Sequence, residues 1–166
     1  MSIASFLQWL SNTQFSVMMR ESTWAEPIVE TIHVLTLTLF LGLAALLDLR
    51  LLGVAMKRRR MSEVLGQLNP CLFVGFAVMV VSGVVLFSGD PVSFYSTTFF
   101  KVKMIMLVLA GLNVMIFNAT IGSKVAEWDL DLKTPRGAKA AAVVSLVLWV
   151  LIVAAGRGIA YALPPP

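Results

Sequence analysis

Residues 27–56 read PIVETIHVLTLTLFLGLAALLDLRLLGVAM, and this stretch decides the fold. It is apolar and long enough to cross a bilayer, which takes about 20 residues of helix. Pro27 suits the first turn of such a helix, and Trp24 just before it is typical of an anchor at the membrane interface. Residues 27–56 are therefore predicted to form the first membrane helix.

Three further apolar runs qualify as membrane helices, at about residues 70–87, 99–122 and 138–162. The connections between the four runs are short, which makes neighbouring helices antiparallel. The sequence therefore predicts an all-α fold, an integral membrane four-helix bundle of up-down topology. Residues 24–166 are assigned to this transmembrane domain.

The N-terminal segment, residues 1–23, has a different character. Within residues 2–17 the apolar side chains recur at helical spacing, with Trp9 beside them, but Asn12, Thr13 and Gln14 make the segment too polar to span. This pattern predicts a short amphipathic helix that lies at the membrane interface.

The composition supports a membrane protein and excludes other classes. Apolar residues make up 58% and charged residues 13%, against roughly 45–50% and 25% in soluble globular proteins. The net charge of +4 lies mostly in the loops that flank the predicted helices, which indicates topology and lipid contact, with no nucleic-acid partner expected. The sequence has no zinc-ligand spacing, phosphate-binding loop or nucleophile motif, so the isolated chain is not expected to be an enzyme.

The distribution of basic residues predicts the orientation. Nine of the 13 fall on one side of the predicted bundle, in and near the loops after the first and third helices: Arg50, Lys57, Arg58, Arg59, Arg60, Lys124, Lys133, Arg136 and Lys139. Because cytoplasmic loops carry an excess of Lys and Arg, we expect both termini to lie outside the cytoplasm, which in a bacterial inner membrane is the periplasmic side.

Ionisable residues inside the predicted helices mark candidate sites, because they are costly at membrane depth. The only histidine, His33, lies one helical turn after Glu30, while Lys101 or Lys103 and Arg157 belong to the outer parts of the third and fourth helices. We expect these side chains to meet in one outer cluster. Asn113 follows Lys103 at helical spacing and is predicted to face inward as well.

A second polar layer is expected nearer the cytoplasm. Its predicted members are Asp48, Arg50, Asn69 and Asn118, which would form an end-cap network between the first helix and its neighbours. Asp48 and Arg50 are two residues apart and do not face each other on a helix, so each needs another partner.

Three interpretations of the outer cluster stay open. Glu30 and Arg157 could form an interhelical ion pair with His33 hydrogen-bonded nearby. His33 could instead be an axial ligand of haem b, the only metal role foreseen, with lysine and arginine side chains pairing with the propionates. A single histidine leaves the second axial position to water, a partner's histidine or a methionine, the candidates being Met79, Met104, Met106 and Met115. Glu30 and His33 could also form a proton relay or bind a small ligand.

Small residues are expected where helices approach closely, either in packing or beside a flat cofactor. These residues are Gly42, Ala45, Gly75, Gly83, Ala110, Gly111, Ala154 and Gly156. The single cysteine, Cys71, excludes an intrachain disulfide and is predicted to be a small buried thiol.

Several motifs resemble an uncharacterised family of small bacterial four-helix membrane proteins. They are Glu30-Thr31-Ile32-His33, the stretch from Leu46 to Gly53, the stretch from Ser82 to Phe87, Lys103 with Ala110 to Asn113, and Ala155-Gly156-Arg157. The family often carries a histidine where this chain has Asn118. In outline the family is similar to membrane cytochromes b and to the membrane domain of copper-resistance protein D.

These observations predict an accessory or cofactor-binding subunit, with haem b as the candidate cofactor, in a homo-oligomer or a larger membrane complex. The alternative is a small-molecule or proton-handling transporter that acts as an oligomer.

Overall fold

The computed structural model describes residues 2–129 and 134–162. Met1, residues 130–133, with Lys133 among them, and residues 163–166 lie outside the described part. The helices are α1 (Ile3–Ser11), α2 (Gln14–Glu21), α3 (Ala25–Leu51), α4 (Met61–Gly89), α5 (Pro91–Ser96), α6 (Thr98–Thr120), α7 (Val125–Trp128) and α8 (Arg136–Ala162), with a 3₁₀ turn at Gly122–Lys124.

Four helices, α3, α4, α6 and α8, are long and apolar enough to cross a membrane. Most of their side chains are exposed on the outside of the bundle, as lipid-facing side chains are in a small membrane protein. The prediction of an all-α membrane helical bundle is confirmed, and the protein is a multi-pass membrane protein.

The second membrane helix differs most from the sequence prediction. α4 begins at Met61, nine residues before Pro70, and continues through this proline. The first turns of α4 contain exposed polar residues, such as Gln67 and Asn69. These turns therefore do not belong to an apolar run, and the sequence pattern does not predict them as part of the membrane helix. Membrane helices tolerate proline because neighbouring groups satisfy the freed carbonyl.

Three smaller differences concern the end of α3, the N-terminal segment and the connection after α4. α3 ends at Leu51 instead of Met56, because Gly53 adopts a left-handed φ of 75° and the Gly53 N–H donates to the Arg50 carbonyl. The N-terminal segment forms two helices, with Thr13 capping the second through the Ser16 N–H. The connection after α4 contains α5, which Asp90 caps through the Ser93 N–H.

Two pairs of helices build the bundle. α3 packs along α4, α6 packs along α8, and contacts between α3 and α8 join the two pairs. In the middle of the bundle the Phe40 ring meets the Trp149 ring edge-on at 5.0 Å between centroids. Phe40 also lies against Gly75, where a Cβ atom would come within 3.4 Å of the ring. We call Phe40 and Trp149 the aromatic layer.

The two ends of the bundle are closed differently. At one end α1 packs on α5 and α2 packs on α4, and the rings of Phe87 and Phe100 stack at 5.0 Å. We call this the capped end. At the other end, the basic end, Leu51, Phe117 and Ala138 belong to an apolar cluster beneath the exposed residues 57–60.

Candidate functional site

His33 lies at the interface of α3 and α4, in the half of the bundle nearer the capped end. Its Nδ1 atom is 2.7 Å from the Ser82 hydroxyl oxygen. Ser82 is buried, and its hydroxyl is also 2.7 Å from the Val78 carbonyl oxygen, one turn earlier in α4. The contact is therefore a polar bridge inside an apolar interface.

The neighbours of Ser82 determine which nitrogen of His33 carries the proton. The Val78 carbonyl can only accept, so the single hydroxyl proton of Ser82 is donated to it. The Ser82 oxygen is then an acceptor towards His33, whose Nδ1–H donates. In the neutral ring this leaves Nε2 with an unshared lone pair, the arrangement that metal-binding histidines adopt.

Gly83 allows the imidazole to lie close to α4. A Cβ atom at this position would already be in van der Waals contact with His33, 3.4 Å from Cε1. Gly83, one of the glycines predicted for close approach, thus contacts His33. Gly42 and Gly111 make no such contact, since no atom lies within 4 Å of an added Cβ.

Lys103 is the second ionisable residue that faces the interior here. Its Nζ atom lies against Gly156 of α8, 3.7 Å from where a Cβ atom would be. The Lys103 ammonium lies within electrostatic range of the His33 ring. Over the described residues, no carboxylate or other acceptor bonds to this ammonium group, and its charge is available to an anionic ligand.

The other residues predicted for the outer cluster point away from His33. Glu30 is exposed on α3. Arg157 is exposed, with its guanidinium 5.3 Å from the centre of the Tyr161 ring. Lys101 is exposed too, with its ammonium 5.2 Å from the centre of the Tyr95 ring. The structure thus leaves Glu30 and Arg157 on outer faces, while Lys103 lies within electrostatic range of His33.

The polar layer predicted nearer the cytoplasm is also arranged differently from the expectation. Asp48 is buried, with 6% of its surface exposed, beside the Ser145 hydroxyl of α8. Asn113 faces inward as predicted by its spacing and donates from Nδ2 to the Ala141 carbonyl at 3.0 Å. We call Asp48 and Ser145, with Asn113, the inner polar site.

The remaining predicted members of the inner layer do not join it. Arg50 reaches out of α3 and donates to the Arg59 carbonyl at 2.6 Å. Asn69 and Asn118 are exposed on α4 and α6. Cys71 is exposed as well, contrary to the predicted buried thiol.

Sequence reasoning missed Ser82 and Ser145, the serines that contact His33 and Asp48. Ser145 follows Ala138 and Ala142 at helical spacing, and all three are buried. Ser145 could have been found in the sequence, because it continues a helical face of small residues. Ser82 had no comparable signal, because α4 is apolar around most of its circumference.

The polar groups do not form a multidentate metal centre. Over residues 2–129 and 134–162, no group of three or more histidine, cysteine, aspartate and glutamate side chains could hold a metal ion.

Comparison with known proteins gives one result. Neither curated proteins nor solved structures give a match. Residues 2–162 match a family of unknown function, DUF6644. This match covers both N-terminal helices and all four membrane helices, so the chain belongs to this family.

Proposed function

We propose that this protein is an accessory, cofactor-binding subunit of a larger assembly in a bacterial inner membrane. The excess of basic residues at the basic end supports a cytoplasmic position for that end. The capped end, with both chain termini, would then face the periplasm. His33 and Lys103 lie in the half of the bundle near that face.

The single observation that carries the proposal is the hydrogen bond between His33 Nδ1 and Ser82. A histidine whose Nδ1–H is held by a protein acceptor presents Nε2 as a ligand in a fixed orientation. Haem b is the candidate cofactor, and when bound it would supply one-electron chemistry. His33 would hold the haem iron and Lys103 would pair with a propionate.

The chain offers two methionines that could also hold the haem iron. Of the four candidates, Met104 and Met115 are exposed, whereas Met79 and Met106 are half-buried. Met106 packs against the buried residues of α6 and α8. The His33 ring faces α4 of its own chain, which favours one of these methionines or water over a histidine from a second copy.

A visible spectrum of the purified protein tests this proposal. We expect a Soret band after expression with haem supplied, and its loss in His33→Ala. Lys103→Gln should weaken haem retention, while the matched variant Lys101→Gln, altered at an exposed lysine, should keep it. A wild-type protein that has no Soret band and gains none when haem is added would overturn the haem assignment.

The accessory role has its own test, purification in mild detergent from native membranes. We expect a larger membrane protein to co-purify in a fixed ratio. Recovery of the chain alone, or of its homo-oligomer only, would contradict this part of the proposal and leave the haem test unaffected.

A transporter is the alternative, and it is supported by the position of Lys103 within electrostatic range of His33, with no described carboxylate bonded to the Lys103 ammonium. Such a pair suits a small anionic substrate as well as a propionate. Uptake of small carboxylates into proteoliposomes, with His33→Ala and Lys101→Gln as variant and control, distinguishes the two. Flux that requires His33 in a preparation without haem would favour transport, and equal flux in both variants would exclude it.

A further inference from the structure

Asp48 is enclosed in the bundle without a counter-charge. The residue is 6% exposed, and its Oδ2 atom is buried with no hydrogen-bond partner. Ser145, itself 9% exposed, lies beside the same carboxyl. We propose that Asp48, together with Ser145, is a membrane-embedded proton-binding site that exchanges its proton at the basic end. This inference is independent of any ligand at His33.

In the part of the chain that the structure describes, no basic side chain bonds to the Asp48 carboxyl, and the central parts of the neighbouring helices carry no cation. Residues 104–123 of the α6 region and residues 140–156 of α8 contain no ionisable side chain. Residues 64–89 of α4 contain only Cys71, which is exposed. On α3 itself, Arg50 is bonded to the Arg59 carbonyl. A buried carboxylate without a partner is strongly disfavoured, whereas the protonated acid is neutral.

The position of Asp48 in α3 acts in the same direction. The residue lies in the last turn of the helix, which ends at Leu51. The C-terminal end of a helix carries a partial negative charge, so it repels a carboxylate and favours the neutral acid. An aspartate at the first turn of a helix would have the opposite preference.

The chemistry of the inner polar site suits a proton better than a metal ion. A sodium or calcium ion needs about six oxygen ligands. The described neighbours of Asp48 supply one hydroxyl, from Ser145, and Asn113 uses its amide nitrogen on the Ala141 carbonyl. One carboxyl with one hydroxyl beside it is enough to hold and pass on a proton.

The route for the proton leads to the basic end. Leu51, three residues after Asp48, already belongs to the apolar cluster that closes this end. Towards the capped end, Phe40 and Trp149 lie across the interior, about two helical turns from Asp48 along α3. A small opening of the apolar cluster therefore exposes Asp48, while the aromatic layer separates it from His33.

Infrared spectroscopy of the protein in lipid bilayers tests the proposal. We expect a carbonyl stretching band of a protonated carboxylic acid at neutral pH, shifted by exchange into heavy water. The band should be lost in Asp48→Asn and retained in Asp129→Asn, a matched change at the basic end. Identical spectra of the wild type and Asp48→Asn at neutral pH would overturn the proposal.

Labelling of the unaltered protein provides a test that needs no variant. Dicyclohexylcarbodiimide takes the acid's proton onto one nitrogen while the carboxylate oxygen adds to its central carbon. The acyl group then migrates to nitrogen and gives a stable N-acylurea, with no leaving group. We expect mass spectrometry to locate the adduct on Asp48, with labelling falling as the pH is raised and unchanged by sodium. No adduct on Asp48, or protection by sodium and not by potassium, would overturn the proton assignment.

Discussion

The Nδ1 atom of His33 lies 2.7 Å from the hydroxyl oxygen of Ser82, across the interface of α3 and α4. This pair joins the first two membrane helices by a polar contact in a region where the other contacts are apolar. Because the Ser82 proton is directed to the Val78 carbonyl, the contact also fixes the direction of the hydrogen bond. The ring nitrogen that is available for chemistry follows from this direction.

The tautomer of His33 is directly measurable, because the chain contains one histidine. We expect nitrogen NMR of protein labelled in histidine to report a protonated Nδ1 and an unprotonated Nε2 in the neutral ring. Ser82→Ala removes the acceptor and should shift the mixture towards the Nε2–H form. It should also destabilise the protein by about 1–3 kcal/mol, because a buried donor loses its partner.

The control for this experiment is Ser96→Ala, since Ser96 is exposed and its hydroxyl bonds only to the Ser93 carbonyl. That variant should leave both the nitrogen shifts and the stability unchanged. An Nε2–H ring in the wild type would contradict the hydrogen-bond direction derived for Ser82.

Lys103→Met should stabilise the protein when no ligand is bound. The Lys103 ammonium is packed beside Gly156 inside the bundle, and a charge without a counter-ion in such a position lowers stability. The expected gain is of the order of 1 kcal/mol, read as a higher thermal unfolding temperature in detergent. Lys101→Met, at the exposed neighbour, should bring no gain, and an equal gain in both variants would mean that burial is not the cause.

Gly158→Ala should destabilise the contact between α6 and α8. A Cβ atom at Gly158 would lie 2.6 Å from Cδ1 of Phe99 and 2.8 Å from its Cγ. The ring has to move, at a cost of about 1–3 kcal/mol. Gly111→Ala is the matched control, since nothing lies within 4 Å of its Cβ position. Gly158→Ala should therefore lower the thermal unfolding temperature relative to the wild type, whereas Gly111→Ala should leave it unchanged or raise it.

The contact of Ser62 with Asp129 should make the basic end sensitive to acid. Partial burial raises the pKa of the Asp129 carboxyl, but the hydroxyl and N–H groups of Ser62, the Met61 N–H and the charge of Arg60 outweigh it and hold the pKa below its usual value. A lowered pKa in the folded protein means that the contact stabilises the fold above the ordinary aspartate value of about 4. This contribution is lost as the pH falls through the lowered value.

Hydrogen exchange of residues 61–65 across this acidic range measures the effect. Protection of these amides should fall with pH in the wild type and stay low and constant in Asp129→Ala. Glu127→Ala, at a nearby exposed carboxylate, should behave as the wild type does. A pH profile that survives the loss of Asp129 would assign the effect to another group.

The number of membrane helices was predictable from the sequence, whereas the faces of these helices were not. Length and apolar content alone identify a helix that crosses a membrane, because every backbone group must be satisfied internally. α3, α4 and α6 are apolar around most of their circumference, so no stripe of polar residues indicates which side faces inward.

The candidate site illustrates the same limit. His33 and Lys103 could be placed at one depth by counting residues, and they do lie within electrostatic range. Glu30 lies one helical turn before His33 and about 60° around the helix from it, and Glu30 is exposed. Depth follows from the sequence alone, and rotation depends on which helices pack together.

The closure of the capped end has a consequence for the order in which the chain is assembled. The Ser16 hydroxyl bonds to the Ser88 carbonyl at 2.6 Å, and the Arg20 guanidinium bonds to the Gly89 carbonyl at 3.0 Å. The ribosome makes the donors first and their acceptors some 70 residues later. The bonds that hold the N-terminal helices can therefore form only after α3 and α4 have been made, so the capped end closes late in the assembly of the chain.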